Sequence, residues 1–176
     1  MSKALPRRVL TLDLRSSRFG YVVFEGPHTL LDWGTRTYRE EGRSSLDWRL
    51  KNIQSSFAPS VILARQITDR HRFTRLMSRR AFHSLRVFAK RVLISVHLID
   101  ESQLRGFFSS EKKVNKHDIA RMVADRLPEL SWRLPPKRKP WQSEPARQSI
   151  FDAASLGVFY FAQRANGQRT ATQFLE

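Results

Sequence analysis

Three segments within the first forty residues have patterns typical of β-strands, and the first of them alternates apolar and polar positions with a period of two. In residues 8–14, RVLTLDL, leucine alternates with Thr11 and Asp13. After a polar turn, residues 19–24 (FGYVVF) form a second apolar run, and residues 29–37 have the composition of a third strand. The short connections between these segments predict an antiparallel meander of three strands.

The rest of the chain alternates helical periodicity with short apolar runs. Residues 44–47, SSLD, have the form of a capping box with Asp in place of Glu, and they predict the start of a helix. The predicted elements are this helix to Phe57, a buried strand at 61–64, a long basic helix at about 69–90, a strand at 92–96, a helix near 116–127 and a last helix at about 144–163. A polar loop is predicted at 107–115, and the segment LPPKRKP at 134–140 is predicted to be a rigid basic linker between Trp132 and Trp141.

This order of elements predicts an α/β fold. The pattern β-β-β-α-β-α-β-α, with an extra helix at the C-terminal end, is a meander that leads into βαβ crossovers. We therefore expect a mixed five-stranded sheet with helices on both faces. Residues 1–164 are expected to form a single domain and residues 165–176 a polar tail, because a chain of 176 residues has the length of one ordinary domain.

Composition then indicates a partner of opposite charge. The chain has 32 Lys and Arg against 16 Asp and Glu, for a formal net charge of +16. Such a charge destabilises the compact state by self-repulsion, so a polyanion is the expected partner, and nucleic acid fits best. An acidic protein or an anionic membrane surface is the alternative. There is no cysteine, which excludes disulfides and thiol chemistry. With no secretory signal, lipidation motif or transmembrane run, we expect a cytoplasmic protein without a membrane partner.

The predicted long helix carries most of the candidate nucleic-acid contacts. Residues 65–91 contain nine Lys and Arg and a single acid, Asp69, whereas an ordinary solvated helix mixes both signs. The candidate phosphate contacts on this helix and on the loop that follows the fifth strand are Arg70, Arg72, Arg75, Arg79, Arg80, Arg86, Lys112, Lys113 and Lys116. Phe107 and Phe108 either stack on a base or pack beneath the loop, and general burial preferences favour packing.

Several motifs, taken in order, resemble the RNase H-like fold and, within it, the RuvC-type Holliday-junction resolvases. That family has an Asp in the first strand, which corresponds to Asp13 here, and an apolar fourth strand that ends in Glu-Gln, which corresponds to Arg65-Gln66. Its final helix carries a DAxxLA-like stretch, similar to DAASLG at 152–157. A further Asp lies one helical turn earlier in the family, where this chain has Ser149. Two of the four acidic positions, Asp13 and Asp152, are therefore retained.

The resemblance implies a phosphodiesterase that uses two divalent ions, and the two departures conflict with that chemistry. Mg²⁺ needs several anionic oxygens that converge on one point, which Asp13 and Asp152 supply only in part. The guanidinium of Arg65 cannot be a metal ligand, so Arg65 is the candidate for replacing the metal by pairing with these carboxylates. Asp69, Asp100 or Glu101 could instead supply a missing carboxylate. A helix that begins at Glu144 would place that residue too far from Asp152 to share an ion.

Three functional hypotheses follow. The chain is a RuvC-like protein that engages branched or structured nucleic acid, with Asp13 and Asp152 as catalytic residues and Mg²⁺ ligands if it cleaves. Alternatively, it is an inactive module of this fold that binds DNA or RNA in a larger assembly and needs no cofactor. The third hypothesis is a basic protein that binds an acidic partner. Because RuvC-like resolvases act as dimers, the resemblance also implies a homodimer, with the Trp132 and Trp141 pair among the candidate faces.

Overall fold

A computed structural model of the chain describes residues 8–66, 72–109, 114–139 and 141–167, without the side chains of residues 72–78. Five strands form one mixed sheet with the order β3-β2-β1-β4-β5. The strands are β1 (Val9–Leu14), β2 (Arg18–Phe24), β3 (Leu30–Thr37), β4 (Val61–Arg65) and β5 (Ser95–Ile99). β1, β2 and β3 pair antiparallel, and β1, β4 and β5 pair parallel. The predicted mixed α/β sheet is confirmed.

Within the described ranges, five α-helices cover the two faces of the sheet. They are α1 (Leu46–Phe57), α2 (Arg72–Val92), α3 (Glu101–Phe108), α4 (Lys116–Arg126) and α5 (Gln148–Ala165). α1 begins within the predicted segment, but the predicted capping box does not form: Ser45 rather than Ser44 is the N-cap, and its side chain accepts a hydrogen bond from the backbone N–H of Trp48. None of the helices in the described ranges is long and apolar enough to span a membrane.

One helix was missed, and two predicted boundaries were wrong. α3 was missed, because eight residues are too few to show a clear helical period, and the predicted loop begins inside it. β5 begins at Ser95 rather than residue 92, because α2 runs on to Val92 and the chain then turns through Leu93, whose φ is 57°. α5 begins at Gln148 rather than Glu144, since the ring of Pro145 keeps the preceding residue out of the helical region. Of the tail predicted at residues 165–176, residues 168–176 lie outside the described residues.

Alternation along the strands separates the interior into two cores. Leu10 and Leu12 of β1 pack with α1 and α2 on one face of the sheet. Val9 faces the other side, together with the apolar residues of α3, α4 and α5. Because side chains two residues apart share a face, Asp13 lies on the same side as Val9, towards α5. The period of the first strand thus directs its one acidic side chain to the helix that carries Asp152.

The N-terminal part of α5 lies unusually close to the sheet at Gly20. This residue pairs with Asp13 across β1 and β2. A Cβ atom on Gly20 would lie 2.1 Å from the backbone oxygen of Ser149, a separation that real structures do not show. Gly20 therefore allows the backbone of α5 to approach the sheet, which brings Asp152 near Asp13.

We predict that Gly20→Ala destabilises the fold by about 3 kcal/mol, because the clash is with backbone rather than a flexible side chain. Gly106→Ala is the matched control, since an added Cβ there meets nothing within 4 Å and Ala favours the α3 helix. Urea unfolding of the two variants measures the difference. Equal stability of Gly20→Ala and the wild type would contradict the close approach of α5.

Candidate functional site

Asp13 and Asp152 meet at the carboxyl end of β1 and are both buried, with 2% and 6% of their surfaces exposed. Asp13 is the fifth residue of β1, and Asp152 lies in the second turn of α5. Buried carboxylates lose their hydration and remain charged only where cations or hydrogen-bond donors replace it. The surroundings of these two residues therefore decide what the site can do.

Arg65 supplies a cation to both carboxylates. β1 and β4 are parallel and in register from Val9 and Val61 onward, so the end of β4 lies beside Asp13. The Nη2 atom of Arg65 donates to Oδ1 of Asp13 and, at 3.0 Å, to Oδ2 of Asp152. Only 15% of the Arg65 side chain is exposed. Arg65 thus points into the site and bridges the two acids.

Two further cations complete what we call the charged cluster, which consists of Asp13, Arg15, Arg65, Lys116, Glu144 and Asp152. Arg15 donates from Nε to Asp13 at 2.8 Å and from Nη2 to Asp152 at 3.0 Å. The same Nη2 lies 3.1 Å from Glu144. Lys116 contacts Glu144 at 2.8 Å and Asp152 at 3.3 Å. The cluster therefore contains three cations and three carboxylates and is formally neutral.

The protonation equilibria reflect these contacts. Burial alone would raise the pKa of Asp152, but Arg65, Lys116 and a hydrogen bond from Gln148 outweigh it, and the pKa is lowered. Burial would lower the pKa of Arg65, but Asp13 and Asp152 outweigh it, and the pKa is raised. Each group is thus held in its charged form by its partners rather than by water.

Ser149 takes no part in the charged cluster. Its side chain is fully buried, and its Oγ has no hydrogen-bond partner. The residue at the second departure from the RuvC pattern therefore supplies neither a ligand nor a hydrogen bond to Asp13 or Asp152.

The alternative carboxylates considered from the sequence lie elsewhere or outside the described residues. Asp100 caps α3 by accepting a hydrogen bond from the backbone of Ser102, and Glu101 pairs with Arg105. Asp69 lies outside the described residues. Glu144, by contrast, belongs to the cluster, where it contacts Arg15 and Lys116. Because Glu144 lies before the first residue of α5, the distance along a helix axis does not apply to it.

The charged cluster does not fit a divalent ion. In the described part of the chain, no group of three or more His, Asp or Glu residues is arranged to hold a metal. The carboxylates of Asp13 and Asp152 already accept from Arg65 and Arg15. A divalent ion about 5 Å from a guanidinium is repelled by roughly 7 kcal/mol at an effective dielectric constant of 20. The implied Mg²⁺ would bind only after Arg65 had left both carboxylates.

The candidate phosphate contacts fall into three groups. Arg79 and Arg80 are exposed on α2, and Arg86 is half-buried on the same helix. Lys116 belongs to the charged cluster. Arg70, Lys112 and Lys113 lie outside the described residues, and so do the side chains of Arg72 and Arg75. Part of the positive charge of α2 is neutralised by ion pairs, since Arg80 pairs with Glu40 and Arg91 pairs with Asp47.

Phe107 and Phe108 lie at the end of α3 and pack inward. Phe108 is 3% exposed, and the ring of Phe107 contacts that of Phe159 on α5 with 5.5 Å between centroids. These rings are part of the core beneath the site, as burial preferences indicated.

Sequence reasoning missed Arg15, Glu144 and Gln148 as members of the site. A signal existed for Arg15, because it follows Asp13 by two residues and the period of a strand places both on one face. Gln148 lies four residues before Asp152, the spacing at which side chains meet on a helix, and its amide donates to Asp152 at 3.1 Å. The position of Glu144 depends on the path of the chain before α5, which has no comparable pattern.

We predict that Arg65→Met costs about 3 kcal/mol in the free energy of unfolding, because it leaves buried carboxylates with fewer cations. It also changes the acid sensitivity. The lowered pKa of Asp152 stabilises the wild type above its ordinary value of 3.8, and this stabilisation is lost as pH falls below that value. In Arg65→Met the pKa of Asp152 rises towards its ordinary value, so this contribution is smaller from the start and less stability is lost as pH falls below 3.8.

Urea unfolding between pH 3 and pH 7 measures both effects. Arg91→Met is the control, because its ion pair with Asp47 is exposed and such pairs contribute about 0–1 kcal/mol. If Arg65→Met and Arg91→Met unfold alike at every pH, Arg65 does not hold the buried carboxylates.

Comparison with solved structures identifies the fold. Thermus thermophilus RuvC, solved with a Holliday-junction substrate, aligns with a TM-score of 0.69 at 16% identity and covers 96% of this chain and 99% of its own. The yeast mitochondrial Holliday-junction resolvase Ydc2 aligns with a TM-score of 0.63 at 16% identity, covering 91% of this chain and 80% of its own. The fowlpox virus resolvase, solved with junction DNA, aligns with a TM-score of 0.53 at 11% identity over 88% of this chain and 99% of its own.

These likenesses are structural rather than sequential. No protein-family model matches the chain, and no curated protein matches it in sequence. At 11–16% identity the alignments establish architecture, and they extend over nearly the whole chain. The chain therefore has the RNase H-like fold of the RuvC-type Holliday-junction resolvases.

Proposed function

We propose that this protein binds branched nucleic acid and does not cleave it by metal-dependent chemistry. The observation that carries the proposal is the bridge from Arg65 to Asp13 and Asp152. The guanidinium of Arg65 donates to the carboxylate oxygens that a divalent ion would need as ligands. A guanidinium cannot activate water as a metal ion does, and a metal ion could replace it only if the buried cluster reorganised.

The neutral charged cluster favours binding without ions. A site of carboxylates alone repels phosphate until divalent ions bind, whereas Arg15, Arg65 and Lys116 balance the three acids here. The phosphate backbone can then approach the site, and the surrounding surface attracts it, since the chain carries a net charge of +16. Phosphate contacts of this kind supply affinity without reading sequence.

The comparison structures support branched nucleic acid as the ligand class. Thermus thermophilus RuvC and the fowlpox virus resolvase were each solved with a Holliday junction, and their architecture matches most of this chain. A shared architecture presents a similar shape to the nucleic acid. We accordingly propose four-way or similarly branched structures, rather than plain duplex, as the preferred ligand.

Cleavage and binding assays test this proposal together. Labelled four-way junction, duplex and RNA–DNA hybrid are incubated with wild type and Asp13→Asn in Mg²⁺ or Mn²⁺, while gel shift follows binding. We expect tight, salt-sensitive binding to the junction and no cleavage by either protein. Metal-dependent cleavage that Asp13→Asn abolishes would overturn the proposal in favour of an endonuclease. Absence of any salt-sensitive binding would favour an acidic protein partner.

A prediction for the basic face of α2 follows from counterion release. Arg79→Gln should reduce the slope of log K against log salt by about one, because each lost phosphate contact releases about one ion fewer. Arg121→Gln on α4 removes the same charge from an exposed position outside this face, so its slope should match that of the wild type. Junction binding measured by fluorescence anisotropy over a salt series gives both slopes. Identical slopes for Arg79→Gln and the wild type would show that α2 makes no phosphate contact at this position.

A further inference from the structure

Two exposed tryptophans flank a basic segment next to the charged cluster. The indoles of Trp132 and Trp141 are 66% and 78% exposed, a large apolar surface to leave in water. We call residues 132–139 and Trp141 the tryptophan segment. It carries Arg133, Lys137, Arg138 and Lys139 and no acidic residue.

The tryptophan segment is anchored to the domain. Leu134 packs against the core formed with α3, α4 and α5, and Pro135 is buried. A stretch containing Pro135 and Pro136 loses less conformational freedom on binding than an ordinary loop. The exposed indoles are thus presented from a fixed base.

A basic pocket of about 450 Å³ connects this segment to the charged cluster. Its walls include Arg105, Lys116, His117, Lys137, Arg138 and Glu144. A phosphate bound in this pocket would counter the positive charge of Lys137 and Arg138.

The aromatic rings are suited to stacking. The guanidinium of Arg133 lies 4.0 Å from the centre of the Trp132 ring, and the Nζ atom of Lys139 lies 5.5 Å from that of Trp141. A cation over one face of an indole leaves the opposite face for a planar partner. Every nucleobase offers such a plane, so stacking does not depend on sequence.

From these observations we infer that the tryptophan segment binds unpaired nucleotides, with phosphate in the basic pocket and bases on Trp132 and Trp141. The inference rests on the proposed function, because it assigns the unpaired part of a branched ligand to this surface. A second copy of the chain is a poorer occupant, since two segments with four cations and no acid repel each other. The Cα atom of Trp141 lies within about 11 Å of the Cα atom of Arg138, because three residues of fully extended chain span no more than this distance.

Binding of a 15-nucleotide oligo(dT) tests the inference, with a duplex of the same length measured alongside. We expect Trp132→Ala/Trp141→Ala to weaken oligo(dT) binding by roughly 25-fold or more, because each of the two lost stacked bases contributes about 5- to 100-fold, and to change duplex binding less than twofold. Trp132→Phe/Trp141→Phe should recover most of the affinity, because phenylalanine keeps an aromatic face. Lys137→Gln/Arg138→Gln should weaken oligo(dT) binding and lower its salt dependence.

Leu93→Ala is the control, since Leu93 is 92% exposed after the end of α2 and its removal should leave oligo(dT) binding unchanged. Unchanged oligo(dT) binding by Trp132→Ala/Trp141→Ala, with junction binding intact, overturns the inference and leaves the proposed function standing. If the double variant instead converts a dimer to a monomer in sedimentation without affecting oligo(dT), the surface is a contact between copies and the inference is wrong. Failure of the wild type to bind any nucleic acid overturns the proposed function and this inference together.

Discussion

The guanidinium of Arg65 is shared by two buried carboxylates, and the arrangement of the site depends on this shared contact. Asp13 comes from β1, Arg65 from the adjacent parallel strand and Asp152 from the helix packed across both. None of the three charges could be buried alone at acceptable cost, because each has given up most of its water. The ion pairs therefore link the centre of the sheet to α5 in the way that a bound metal would.

This link has consequences for chemistry and for binding. Fixed cations hold the strand and the helix together at any metal concentration, but they remove the exchangeable ions that phosphodiester cleavage by this fold is expected to need. Arg15 and Lys116 also form ion pairs with Glu144, so the charges of the cluster sum to zero although the chain as a whole is strongly basic. Under the proposed function, such a surface binds nucleic acid without catalytic ions.

Much of this arrangement could be predicted from the sequence. The alternation in β1 and the apolar run of β4 predicted two strands of one mixed sheet, and the resemblance to RuvC pointed to Asp13, Arg65 and Asp152. Prediction from local sequence patterns failed where the structure does not depend on a periodic arrangement of apolar residues. α3 is too short to show a period, and α5 begins after Glu144, whose helical conformation is disfavoured by the ring of Pro145. The predicted helix included Pro145 and therefore placed the Glu144 carboxylate too far from Asp152. In the structure, Glu144 contacts Arg15 and Lys116.

Titration of the protein with Mn²⁺, followed by calorimetry, tests most directly whether the cations have replaced the metal. We expect no saturable Mn²⁺ site in the wild type at millimolar concentration, and the same flat titration for Asp13→Asn, because the carboxylate oxygens already accept hydrogen bonds from Arg65 and Arg15. One or two saturable sites in the wild type that Asp13→Asn removes would contradict it. That result would mean that Arg65 leaves the carboxylates when metal is present.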